Sequence, residues 1–370
     1  MSPAAEHRSW MAEALRQARK GLYSAHPNPR VGCVIVRDGK LVASGWHEYT
    51  GGAHAEVNAI AAAQIPAGAD FYVTLEPCSH HGRTPPCVDA LIEARAARVI
   101  VAAEDPNPEV GGRGLERLRE SGIEVITGVL EEQARELNRG FFKRMTDGVP
   151  FVSIKMACSL DGRSALVNGV SKWITGEPAR HDVQYQRARA SAILTSAQTV
   201  LDDDPSLNLR LTSQQLGQRR EPRQPVRVVV DSRLRLDGSE RIFSHPGEIW
   251  VYTLADESGR RQRLEDRGAR VILTEPGDPD SVSLQAVMRD LAGRGINEVH
   301  GECGPRLAGA LIDAGLADQI LLYMAPRLLG SGARGVFDLG EILAMEESKS
   351  CRICDIRSIG EDLRLTLNLD

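Results

Sequence analysis

Residues 54–87 read HAEVNAIAAAQIPAGADFYVTLEPCSHHGRTPPC, and this stretch decides the fold of the first part of the chain. His54, Cys78 and Cys87 offer one imidazole and two thiolates, and Glu56 lies two residues past the histidine. Zinc bound for catalysis takes three protein ligands and keeps a fourth position for water, whose pKa falls from about 15.7 to roughly 7. A carboxylate beside that water, not itself a ligand, can shuttle the proton. HAEVNAIAAAQ has helical spacing with His54 and Glu56 in its first turn, ADFYVTLEP reads as a buried strand, and CVDALIEARAA as a second helix. Pro85 and Pro86 suit the opening of that second helix. Both ligand groups therefore fall at helix N-termini, where the positive dipole end favours thiolate and hydroxide. A closed structural zinc site is the alternative. It needs four protein ligands, a set that His80 or His81 could complete.

Working outward, Trp10, Met11, Ala14, Leu15 and Ala18 recur at helical spacing near the N-terminus. VGCVIVRDGKLVASGWHE reads as two strands joined by an Asp38-Gly39 hairpin turn. RVIVAAEDP, LERLRESG and IEVITG continue as strand, helix and strand, which implies a layered α/β domain with a partly parallel sheet. The pattern breaks around residues 141–148, and VPFVSIKMACS begins a new buried strand, so the domain boundary is expected near 147. Beyond it PARHDVQYQRARA, SLQAVMRDLAGRG and PRLAGALIDAGLAD read as helices. SAILTS, PVRVVVDS, IWVYTL, ARVILTE and INEVHGECG read as strands, and QILLYMAPRLLG as a final long one. Polar residues 211–224 are expected to form a mobile surface loop. The turn Gly301–Pro305 follows a strand and opens a helix whose free N–H groups can hold phosphate. The literal G-x-G-x-x-G at 330–335 lacks a helix after it and reads as a decoy. Asp202, Asp203 and Asp204 before Pro205 read as solvated turn formers rather than a metal site.

At 370 residues the chain exceeds one comfortable core, so two domains are expected. A net charge of −5 and 4% aromatic residues weigh against a nucleic-acid-binding groove. No apolar run approaches a membrane span, and the N-terminus lacks the apolar segment of a signal peptide, so a cytoplasmic protein is expected. Seven cysteines, an odd number, fit a reducing compartment. Cys33, Cys158 and Cys303 read as buried filler, and the Cys351/Cys354 pair has no second pair to suggest a metal site.

The H-x-E…P-C-x-x-C signature of zinc-dependent base deaminases has the logic of residues 54–87, but here eight residues separate the cysteines instead of two. HPNPRVGCVIV, GGAHAEVNA, TLEPCSHHGRTPPC, KMACSLDGR, WITG, DDDPSLNLR and GECGPRLAGALIDAGLAD together resemble the bifunctional riboflavin-biosynthesis deaminase/reductase family, in its order and over nearly the whole chain. The long cysteine spacing is normal for that family. The resemblance implies an α/β fold, with an N-terminal cytidine-deaminase-like layered domain at 1–147 and a C-terminal dihydrofolate-reductase-like domain at 148–370. It also implies two reactions: zinc-dependent hydrolytic deamination of 2,5-diamino-6-ribosylamino-4(3H)-pyrimidinone 5′-phosphate, then NADPH-dependent reduction of the ribosyl group to ribityl. A nucleic-acid or free-nucleoside deaminase with an accessory nucleotide-binding domain is the competing reading, and a non-enzymatic zinc-stabilised binding module a third.

By the same resemblance His54, Cys78 and Cys87 bind one Zn2+ and Glu56 is the proton shuttle. Asn28 and His47 hold the pyrimidine or ribose, and His80 and Arg83 face the phosphate. Ala157, Trp173, Thr199, Asp203 and Ser232 line the NADPH site, together with the turn and helix Gly304, Pro305, Arg306, Leu307, Ala308, Gly309 and Ala310. Ser171, Arg187, Leu207, Arg210 and Glu302 match the second substrate's side, with Lys155 and Asp161 in polar roles near the sugar. Where similar families carry two adjacent glycines, this chain has Cys303-Gly304. A homo-oligomer, dimer or tetramer, is expected, with a small-molecule substrate and neither nucleic acid nor membrane as partner.

Overall fold

In the computed structural model, residues 2–79, 85–107, 111–277 and 280–369 are described. The chain divides into two compact units that meet between Gly148 and Val149, with residues 217–219 grouping with the first.

The first unit opens with helix α1 (Pro3–Arg19) and the hairpin β1 (Gly32–Arg37) and β2 (Lys40–Trp46). Asp38 and Gly39 both take positive φ, 51° and 68°, the backbone a type I′ hairpin demands. There follow α2 (Ala55–Ala62), β3 (Asp70–Val73), α3 (Cys87–Glu93), β4 (Arg98–Val101), α4 (Arg113–Glu120) and β5 (Glu124–Ile126). Helices α5 (Glu131–Leu137) and α6 (Arg139–Asp147) close it. The sheet order is β2-β1-β3-β4-β5, antiparallel around β1 and parallel from β3 to β5. Because strand side chains alternate, each strand feeds two cores. Cys33, Ile35, Phe71, Val73, Val99 and Val101 pack under α2, α3 and α4. Val34, Val36, Tyr72 and Ile100 pack under α1, α5 and α6 on the other face. The apparent break at residues 141–148 is largely α6, whose Phe141 and Phe142 are core residues.

The second unit runs β6 (Phe151–Ser159), β7 (Arg163–Ala165), α7 (Glu177–Arg189), β8 (Ala192–Ser196), α8 (Ala197–Asp203) and β9 (Val226–Val230). It continues through β10 (Ile249–Thr253), α9 (Ser258–Asp266), β11 (Ala269–Leu273), α10 (Leu284–Gly293), β12 (Glu298–Gly301), α11 (Pro305–Asp313) and β13 (Gln319–Ala325). The short β14 (Arg334–Gly335) pairs with β7, and no α-helix follows the glycines at 330–335 among the described residues. One point corrects the sequence reading. β13 is not the last strand, because β15 (Cys351–Ile359) and β16 (Asp362–Leu369) form an antiparallel hairpin that extends the sheet. The main sheet is ordered β11-β10-β9-β8-β12-β6-β13-β16-β15. Helices α10 and α11 cover one face, and α7, α8 and α9 the other. From β8 the chain steps outward through β9, β10 and β11, then returns to insert β12 between β8 and β6. That reversal is a topological switch point, and ligands of open α/β sheets bind outside the carboxyl ends of strands at such a point. Residues 211–224 are not free of the core: Leu211 and Leu216 are buried, and the Gln224 side chain bonds both backbone groups of Leu209.

Candidate active sites

Helix N-termini build the first site. His54 is the N-cap of α2 and Glu56 lies in its first turn, while Cys87 is the first residue of α3 after Pro86. Cys78 sits in the loop after β3, its carbonyl accepting from the Val88 amide and its Sγ from the Cys87 amide at 3.3 Å. His54 Nδ1 is 3.1 Å from Cys87 Sγ and 3.5 Å from Cys78 Sγ. One ligand atom from each of the three residues falls within 4.8 Å of the others, the one such group among the described residues. Neither the aspartates at 202–204 nor the exposed Cys351/Cys354 pair forms another.

The electrostatics match the donor set. The Cys78 thiol is pulled far down by its hydrogen bond with Cys87 and by His54, while the same bond and burial push Cys87 up. The hydrogen bond to Cys78 raises His54. Two sulfurs sharing protons around one imidazole nitrogen are what a divalent soft-tolerant cation would replace, so these residues fit zinc. Glu56 is only 3% exposed, and burial followed by the Cys78 charge raises its pKa to about 7. His47 is also buried, its Nδ1 3.1 Å from the Ala53 carbonyl and its Nε2 3.0 Å from Asn28 Nδ2. Since a carbonyl only accepts, Nδ1–H donates to Ala53, which leaves Nε2 to accept from Asn28. The Asn28 loop is itself clasped from a distance: Asn138 accepts from the Arg30 amide and donates to the Arg30 carbonyl. His80 and Arg83 lie outside the described residues.

In the second unit a buried ion pair anchors the carboxyl end of the sheet. Arg187, on α7, donates two hydrogen bonds to Glu302, at 2.5 and 2.8 Å, and a third to the Asn208 carbonyl. Burial alone would raise the Glu302 carboxyl; the Arg187 charge and hydrogen bonds, with His300 and Lys155, overcome it and hold it at about 2. Lys155, on β6, is lowered by burial against the pull of Glu302. Thr199 links two helix openings, because its Oγ1 accepts from the Gly304 amide at 3.2 Å while its own amide donates to Ser196. Gly304 is the N-cap of α11, so Pro305 to Ala310 form the first turns of that helix. A Cβ at Gly304 would meet only Thr199 Oγ1, at 3.7 Å, which leaves the turn open to a ligand, as a dinucleotide phosphate requires. Trp173 is 64% exposed with Arg180 stacked on it, and Lys172 reaches Asp203. Ser232 Oγ accepts from the Val282 amide.

The Asp161 carboxylate accepts from Ser159 and from the amides of Leu329 and Gly330, and the Leu207 side chain is buried in the core under α8. The Arg210 amide bonds Gln184, and Ala157 lies within β6; Ser171 is half-buried. Sequence reasoning missed His300, a buried residue whose Nε2 is 3.6 Å from Glu302. Its spacing of two from Glu302 along a strand was the available signal, since it puts both on one face.

Residues 4–103 match the cytidine and deoxycytidylate deaminase zinc-binding region, and residues 150–365 match the RibD C-terminal domain. The riboflavin biosynthesis protein RibD of Escherichia coli is 46% identical over 364 residues, covering 97% of this chain and 98% of its own. The chain belongs to the RibD family. RibD of Haemophilus influenzae is 43% identical, with 96% of both chains covered. Among solved structures, form 2 of Acinetobacter baumannii RibD covers all of both chains at 39% identity and a TM-score of 0.90. A diaminohydroxyphosphoribosylaminopyrimidine deaminase/5-amino-6-(5-phosphoribosylamino)uracil reductase from Thermotoga maritima covers 99% of both at 34% and 0.86. As a RibD family member the chain is a bifunctional deaminase and reductase of riboflavin biosynthesis, a hydrolase using zinc and an oxidoreductase using NADPH.

Proposed function

We propose that residues 1–147 deaminate 2,5-diamino-6-ribosylamino-4(3H)-pyrimidinone 5′-phosphate, and that residues 148–370 reduce the ribosyl side chain of the product with NADPH, giving 5-amino-6-ribitylamino-uracil 5′-phosphate. The observation that carries the first half is a buried carboxylate with a pKa near 7 in the same helical turn as one of three converging soft ligands. His54, Cys78 and Cys87 hold zinc, which when bound supplies an activated water. Glu56, buried beside the ligands, takes a proton at its carboxylate and returns it to the departing ammonia. Water is consumed and ammonia released, so no further reactant is needed. Asn28, fixed by His47, and the basic residues His80 and Arg83 bind the nucleotide, the latter two through its phosphate.

In the reductase NADPH supplies the hydride. Gly304 to Ala310, with Thr199, Trp173, Asp203, Ser232 and Ala157, hold the cofactor at the switch point. Arg187, Arg210, Ser171 and the backbone at Leu207 position the sugar phosphate, with Glu302, Lys155 and Asp161 setting the polarity around it. No helix among the described residues is long and apolar enough to cross a membrane. A cytoplasmic homo-oligomer, dimer or tetramer, acting on a small phosphorylated pyrimidine completes the reading. Glu56→Ala tests it: deamination should fall at least a hundredfold, on the order of the general acid–base contribution, while NADPH-dependent reduction of the deaminated intermediate is unchanged. Loss of both activities in a folded protein contradicts separable sites.

A further inference from the structure

The loop that presents Cys78 is tied down by a carboxylate two residues upstream. Glu76 is 4% exposed, and its side chain accepts three backbone N–H groups: Asp105 at 3.1 Å, Gly112 at 3.0 Å and Gly114 at 3.0 Å. Gly112 is the N-cap of α4 and has no side-chain cap of its own. Glu76 therefore supplies from outside the helix the anion that an N-terminus favours and satisfies amides that α4 leaves without an intrahelical partner. The fit leaves no slack. A Cβ at Gly114 would lie 2.3 Å from the Pro77 carbonyl, between Glu76 and Cys78. Helix α4 also packs against the other thiol's helix, with Leu115 and Leu118 in one core with Val88 and Leu91 of α3 and an Arg117–Asp89 ion pair at the surface. Both cysteines are thus tied to α4.

We propose that Glu76 is a positioning residue for the metal centre, fixing the Cys78 thiolate by docking its loop onto the N-terminus of α4. The inference rests on reading His54, Cys78 and Cys87 as the zinc ligands. A carboxylate that only stabilised the fold would lower melting temperature without touching the metal; one that positions a ligand changes how the metal is held.

The test uses the full-length chain. Zinc content is measured first, then the rate of zinc transfer to a chromogenic chelator, and the thiolate-to-cobalt charge-transfer band after Co2+ substitution. Glu76→Gln keeps the shape but replaces one acceptor oxygen by a donor NH2, and Leu118→Val thins the core under the same helix. Glu76→Gln should speed zinc release roughly ten- to a hundredfold and shift the cobalt band, with Leu118→Val within about twofold of the parent chain. Should Glu76→Gln not fold, Glu76→Asp, whose shorter side chain cannot reach all three amides, is measured in the same way. The proposal is overturned by parent-like release and an unchanged cobalt band in the Glu76 variant, or by equally fast release from Leu118→Val. A parent chain that binds no zinc overturns the ligand assignment itself, and the proposal with it.

Discussion

Replacing Arg187 with methionine removes one half of the buried pair that anchors the reductase site. Both side chains are nearly out of solvent, at 9% and 13% exposure, so screening by water is small. The Glu302 carboxyl stands at about 2, against 4.5 for an unperturbed glutamate. At 1.36 kcal/mol per pH unit that difference is worth about 3 kcal/mol of folding stability. Because the folded pKa is the lower one, the contribution is complete above about pH 4.5 and fades as pH falls toward 2. In Arg187→Met the carboxylate remains buried without its partner, and at neutral pH the reductase unit should lose about 3–5 kcal/mol. The Asn208 carbonyl loses its donor as well. Urea unfolding of both chains across a pH series measures this. Because the unfolded-state pKa is common to both chains, the gap should narrow from the folded pKa of the unpartnered Glu302, which burial raises above 4.5, down toward about 2, where the parent's carboxyl also protonates. A gap that stays constant from neutral pH down to about pH 3 would falsify the claim that the ion pair carries this stability.

Other outcomes follow from close contacts. A Cβ on Gly309 would sit 1.8 Å from the Asp338 carbonyl, backbone against backbone, so Gly309→Ala should destabilise the reductase unit by about 1–3 kcal/mol in calorimetry and leave deamination intact. Asn138→Ala removes the two hydrogen bonds that its side chain makes with the Arg30 backbone and so loosens the loop bearing Asn28; steady-state kinetics should show a raised KM for the pyrimidine, with zinc content by metal analysis unchanged.

Much of the site was legible because its chemistry is local. His54 and Glu56 share one helical turn, Cys87 opens the next helix, and proline or small residues mark the starts, so local spacing placed these three, while the eight-residue gap to Cys78 was explained only by the family resemblance. The Asp38-Gly39 turn marked the β1–β2 hairpin in the same way, and the apolar run of β3 marked a buried strand. What escaped notice depends on distance along the chain or on context. The Asn138 clasp joins residues 108 apart, and Glu76 reaches amides up to 38 positions away, which no spacing reveals. Helix α5, EEQAREL, is short and charged, and only Ala134 and Leu137 are buried. β15 escaped because most of its residues are exposed, Ile353 and Ile356 among them, so CRICDIRSI shows no apolar alternation.

Two activities on one chain, only the first of which needs zinc, is the central claim, and a coupled assay on the pathway pyrimidine tests it most directly. Ammonia release and NADPH oxidation are followed together, before and after removal of zinc by a chelator. Chelation should stop ammonia release from the diamino substrate while NADPH oxidation on the separately supplied deaminated intermediate continues at its original rate. Ammonia release that survives complete zinc removal, or reduction of the supplied intermediate that stops with it, would contradict the account.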